Sequence, residues 1–222
     1  MQSYVGNSPL HLGISGAFAQ AAFDLLQQSV AGQLKLTFED GIVDGSAIDG
    51  VELTPAAAML LEIIKDHKIK VSLQTVAGFY YYNTELKENV FFEGDAFRGS
   101  FTHNGKLTAT NILSPEVSKG YDIASTAPTG TTALHSVFEA YIGGKYFPNT
   151  RITPGQADTT AYLISHDWAS CIDTNYKDLP RHYIIDKGTV KVNGVLDSNA
   201  PKIIDSRTQE IIYTFPTFKY SK

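Results

Sequence analysis

His135 and Glu139 stand four residues apart in the stretch TTALHSVFEAYIGGKY, residues 131–146. Four residues along a helix is about 400°, which leaves Glu139 about 40° around from His135 and one turn above it. That placement lets two side chains hold one metal ion. A third ligand is commonly supplied by the next helix, and AYLISHDWASCID carries His166 near its middle. Two histidines, one carboxylate and a water make a catalytic zinc set. His103 and His182 stand in predicted strands, and His182 in RHYIID is the stronger alternate for the third position. A His and a Glu at this spacing also occur on ordinary helices, where the pair adds only a weak hydrogen bond.

Other reactive residues give less. Ser136 follows His135 directly, and adjacent helical residues point about 100° apart, so the two do not form a nucleophile and its base. Cys171 is the single cysteine; on an apolar helix it is expected in the core, and no internal disulfide can form. The glycines of YIGGKY and FEGDAFRGS lack the strand–loop–helix setting of a nucleotide-binding loop and read as a cap and turns. FYYYN at 79–83 suits a half-exposed strand face, and its rings would also stack on a sugar or peptide. Trp168 reads as helix packing or as the wall of a cleft over the metal.

The elements that must position these residues are marked in the chain. Residues 1–14 are loop-like, rich in Gly, Ser and Pro. Ser15 is placed to cap a helix over about 16–30, with Phe18, Ala22, Leu25 and Leu26 on one stripe. QLKLTFED alternates as a strand, and GIVDGSAIDG carries repeated turn signals. Thr54 and Pro55 open a helix through about His67. IKVSLQTV reads as a strand, and Asn104-Gly105 as a type I′ hairpin turn within 100–110. After a turn-rich loop comes a helix over about 131–142, closed by Gly143-Gly144 as a left-handed cap. Thr153, Pro154 and Gln156 mark the start of a second helix over about 154–173. The tail, 182–220, reads as strands, with VKVNGVLD as a hairpin and EIIYTFPTF rich in β-formers. Strands and helices do not alternate strictly. The expectation is one α+β domain over 1–222, an antiparallel-rich sheet packed against helices, with the helical pair carrying the site.

Composition excludes some classes. The 222 residues carry a net charge of −5, and KDHKIK at 65–70 is the densest basic stretch, so no nucleic-acid partner is expected. No apolar run approaches a membrane span. No basic region followed by an apolar core stands at the amino end, so no signal peptide is expected in this chain.

HSVFEAYIGGK is similar to the HExxE-A-Y-x-G-A segment of metallopeptidase-like domains in bacterial Rhs-type and other polymorphic toxins. SHDWA at 165–169 resembles the AHxxA pattern of their following helix, GDAFRGSF at 94–101 their GxAFxGN hairpin, and NILSPEV at 111–117 the segment after it. The resemblance covers about 90–170. It implies a zinc ion held by His135, Glu139 and His166, a peptide or protein substrate or binding partner, an immunity protein if the domain is a toxin, and a secreted or delivered bacterial effector domain. One position departs from the pattern. The family has Glu after the first His, and this carboxylate moves the proton in zincin chemistry; here it is Ser136. Asp158, about two turns before His166, and Asp167 are candidate substitutes, and Ser136→Glu is expected to raise any hydrolytic rate. Three readings follow. One is a zinc-dependent metallopeptidase-like hydrolase. Another is a non-catalytic metal-binding or partner-binding domain of a larger bacterial secreted or surface protein. The third is an α+β domain in which these polar residues are incidental.

Overall fold

The computed structural model describes residues 11–84, 86–152, 160–186 and 200–216. In chain order these form β1 (Leu12–Ser15), α1 (Ala19–Ser29), β2 (Leu34–Glu39), β3 (Ile42–Ala47), α2 (Pro55–Lys65), β4 (Ile69–Thr75), β5 (Tyr80–Asn83) and β6 (Glu88–Phe91). Then come β7 (Asp95–His103), β8 (Lys106–Leu113), α3 (Pro115–Ala124), α4 (Thr131–Tyr146), α5 (Thr160–Ile172), β9 (Tyr183–Asp186), β10 (Lys202–Asp205) and β11 (Ile211–Thr214). The fold is α+β, as expected.

The main sheet has six strands in the order β2-β3-β1-β4-β8-β7. β4 runs parallel to both β1 and β8, while the other neighbouring pairs are antiparallel. Two hairpins set its ends. Asp40-Gly41 joins β2 to β3 and Asn104-Gly105 joins β7 to β8, each residue with positive φ as a type I′ turn requires. β9–β11 form a separate three-stranded sheet and β5–β6 a two-stranded ribbon.

α4 is the centre of the molecule. Its residues Thr131 to Gly144 are all buried, beneath the sheet and among α1, α2, α3 and α5. A helix covered on every side needs no polar stripe, which is why this one shows little amphipathic pattern. Val137, Phe138, Ala140, Tyr141 and Ile142 join Leu60, Ile63, Val71, Leu73 and Phe97 in one apolar core. Its polar residues, His135, Ser136 and Glu139, are therefore unusual occupants.

Several expectations need correction. The segment expected to be loop-like, 1–14, ends within β1, an inner strand whose alternate residues Leu12 and Ile14 are buried; its turn-rich flanks hide a strand of four residues. Ser15 does not cap α1: its hydroxyl donates to Leu73 O, and the helix starts at Ala19. The turn-rich stretch 41–50 holds β3. Gly143-Gly144 does not end α4, which continues to Tyr146. The two glycines are there for space, because a Cβ on Gly143 would stand 2.3 Å from the Phe97 ring and one on Gly144 would stand 2.8 Å from Ala109. α3 lies in what reads as loop. Thr54 does cap α2, its hydroxyl accepting from Ala57 N at 3.3 Å, although that helix ends at Lys65. The proposed start of α5 at Thr153–Gln156 and the VKVNGVLD hairpin fall outside the described residues.

Candidate metal centre

The amino end of α4 is fixed from α3. Gly130 opens the helix with φ 92° and brings no side chain to cap it. Asp122 does this instead: its carboxylate accepts from Gly130 N at 2.7 Å, Thr132 N at 2.9 Å and the Thr132 hydroxyl at 2.7 Å. Burial raises the Asp122 pKa, opposed by these three bonds. Farther along, buried Asn111 on β8 bridges two elements. Its Nδ2 donates to Ser136 O at 3.1 Å and its Oδ1 accepts from Ala96 N at 2.9 Å. One amide side chain thus sets the depth of α4 against β7.

His135, Glu139 and His166 come together on this frame, each with one ligand atom within 4.8 Å of the others. His135 Nε2 is 3.0 Å from His166 Nδ1 and 4.0 Å from Glu139 Oε2. The His135 ring stacks on Tyr176 with centroids 3.7 Å apart, and Asp178 Oδ1 lies 3.4 Å from His166 Nε2. The two imidazoles share one hydrogen bond whose direction is set by their tautomers.

His135 is 0% and Glu139 1% exposed. His135 Nδ1 and both Glu139 oxygens have no hydrogen-bond donor or acceptor among the described residues. A buried carboxylate without donors is held neutral or matched by a cation. Burial, then the neighbouring Asp95 carboxyl, pushes the Glu139 pKa well up. Burial, then His166, pushes that of His135 well down. The buried His135, Glu139 and His166 cluster could hold a metal ion, which would satisfy the orphaned oxygens and the imidazoles together.

Asp95, at the start of β7, completes the group, and sequence reasoning missed it. Ser136 Oγ has two acceptors for its one proton, Asp95 Oδ2 at 2.8 Å and Thr132 O at 2.9 Å. Burial raises the Asp95 pKa, while Ser136 and His166 pull it back. Asp95 and His166 line a cavity of about 760 Å³, with Tyr162, Tyr176, Arg98 and Arg181 also on its wall. Burial pushes the Tyr162 and Tyr176 pKa values above 10, so both hydroxyls stay protonated donors.

Asp167 is exposed and does not line this cavity; Asp158 lies outside the described residues. His182 stands apart from the cluster, with its Nε2 3.6 Å from Asp205 Oδ2. His103 is exposed at the hairpin end of β7, opposite Lys106. Cys171 is exposed rather than in the core, because α5 packs through the small residues Ala161, Ser165 and Ala169. Trp168 lines a separate groove with Tyr146 and Met59 and does not cover the cluster. The tyrosines of FYYYN line a second cavity of about 620 Å³, beside Gln74 and Arg98.

No helix among the described residues is long and apolar enough to cross a membrane. Comparison with known proteins brings no match to any family model, curated protein or solved structure.

Proposed function

We propose that the protein is a zinc-dependent hydrolase of peptide bonds, with His135, Glu139 and His166 holding the metal and Asp95 moving the proton. The observation that carries this reading is Glu139, a fully buried carboxylate without a hydrogen-bond donor among the described residues, clustered with two imidazoles. Two imidazoles and one carboxylate suit zinc, which acidifies water and polarises a carbonyl. The residues of the chain supply the rest. Asp95 opens on the cavity beside the cluster and is raised by burial toward the working range of a general base. It takes the proton from the attacking water and returns it to the leaving amine. Ser136 holds the Asp95 carboxylate by its hydroxyl, and Asp178 orients His166. Tyr162 and Tyr176 offer O–H donors to the developing oxyanion.

In this reading the role that the toxin-type metallopeptidase pattern gives to a Glu after the first His passes to Asp95. Ser136 makes the room for it. An effector domain of a bacterial secreted or surface protein, met by an immunity protein, is the context the sequence resemblance supports.

The test is the metal content of purified wild type beside His135→Ala/Glu139→Ala. Near-stoichiometric zinc in the wild type and none in the variant is expected. No metal in either after zinc is added would overturn the reading. A second reading, a metal that serves only structure, is favoured if metal-free wild type fails to fold.

A further inference from the structure

The cavity that ends at Asp95 and His166 continues around the edge of β7 to Arg98. Asp95 and Arg98 are three residues apart on this strand, about 10 Å at roughly 3.3 Å per residue. β7 pairs Phe97 with Asn111 and Gly99 with Thr110, which are adjacent on β8, so Arg98 is the extra residue of a β-bulge. Bulges re-aim a side chain, and they recur beside active sites.

The Arg98 guanidinium is half-buried. One N–H donates to the Tyr81 hydroxyl, and the group lies 5.1 Å from the centre of that ring. No carboxylate among the described residues forms an ion pair with it. The acids on the same cavity wall are engaged elsewhere or open to water: Asp95 accepts from Ser136, Asp178 faces His166 and Glu93 is exposed. Burial draws the Arg98 pKa down, with the Tyr81 hydroxyl opposing it. A guanidinium has five N–H donors in a planar fork that matches a carboxylate. Partly desolvated and without a counter-ion among the described residues, it is suited to meet a group of opposite charge.

We infer that Arg98 sets substrate specificity by binding a carboxylate of a peptide, about three extended residues from the bond cleaved. This inference rests on the hydrolase reading of the metal centre. The carboxylate belongs either to the carboxy terminus of the peptide or to an aspartate or glutamate side chain, and both offer the same planar pair of oxygens.

The experiment is fluorescence anisotropy with one labelled heptapeptide in three forms: free carboxy terminus, amidated, and amidated with one internal glutamate. The proteins are wild type, Arg98→Gln and Tyr81→Phe, zinc-loaded and metal-stripped. In wild type, at least one acid form is expected to bind about tenfold or more tightly than the plain amide, the range of a charge-assisted bond. Which form it is identifies the source of the carboxylate. The preference is expected to vanish in Arg98→Gln and to persist in Tyr81→Phe, which loses the tyrosine hydroxyl but keeps the cation. If Arg98→Gln does not fold, Arg98→Lys carries the test, with the preference reduced several-fold because the fork is lost. Three peptides binding alike in wild type, no binding by any of them, or a preference that survives the Arg98 variants would overturn the inference. Binding is read without turnover, so missing zinc or missing hydrolysis would count against the hydrolase reading alone.

Discussion

Ser136 Oγ donates to Asp95 Oδ2 across the gap between α4 and β7, at 2.8 Å. Where the zincin pattern places a glutamate on the helix, the helix here carries a short hydroxyl and the sheet carries the acid. A carboxylate reaches the same cavity from the opposite wall, 41 residues earlier in the chain.

The first prediction concerns Asp95. Asp95→Asn keeps the shape and an acceptor for Ser136 but cannot take a proton. Hydrolysis of any peptide substrate is expected to fall by about 10²–10⁴, with zinc content unchanged. Metal analysis and single-substrate kinetics on the same sample check it. Full activity with Asn, or loss of the metal, would remove Asp95 from the proton path.

Ser136→Glu tests the same geometry from the helix side. On sequence alone the change restores a zincin-like acid and is expected to raise the rate. Ser136 is 0% exposed and already faces Asp95, so the new carboxylate would crowd a half-buried acid of like charge. The single variant is expected to lose about 2–4 kcal/mol of stability, read by denaturant unfolding. Ser136→Glu/Asp95→Ser, which exchanges the two groups, is expected to recover much of the loss. A single variant as stable as wild type would contradict the contact.

Asp122→Ala removes the only acceptor among the described residues for two buried N–H groups at the start of α4. The expected loss is about 2–4 kcal/mol, and Asp122→Asn, which keeps one acceptor, should lose about half of that. Because His135 lies one turn beyond Thr131, zinc affinity is expected to weaken with stability. Calorimetric unfolding and zinc titration on the two variants check both.

Much of this arrangement is legible locally. His135 and Glu139 share a helix face by spacing alone, and His166 sits on the next helix with the length and polarity to meet them. Thr54-Pro55 and Asn104-Gly105 mark their elements by backbone chemistry that acts within four residues. What is not legible depends on distant partners. Gly143-Gly144 reads as a terminator until Phe97 and Ala109 are found against it. Asp95 reads as a turn residue until β7 packs on α4. β1 is hidden because four residues between turn signals resemble a loop, and only its neighbours β3 and β4 satisfy its backbone.

The last prediction is a pH profile. In the unfolded chain His135 titrates near 6.5 and Glu139 near 4.5. In the metal-free fold burial lowers the first and raises the second, so native His135 holds its proton less readily, and native Glu139 more readily, than the unfolded chain. Below 6.5 the unfolded state takes up a proton that native His135 refuses, and this term costs stability as pH falls. Above 4.5 the unfolded state releases a proton that native Glu139 keeps, and this term costs stability as pH rises. Between the two values the slopes oppose each other; outside them each reaches up to about 1.4 kcal/mol per pH unit. Asp95 and Asp122, also raised by burial, add to the alkaline loss and draw the maximum toward the acid end of the window. Zinc binds only the deprotonated ligands, so its stabilisation grows with pH and opposes the alkaline loss. Melting temperature from pH 4 to 9 is therefore expected to peak between about 4.5 and 6.5 without metal, and to hold on the alkaline side with zinc. Superimposable profiles with and without zinc, or a metal-free maximum above pH 7, would mean that these buried groups neither titrate as a pair nor meet a metal.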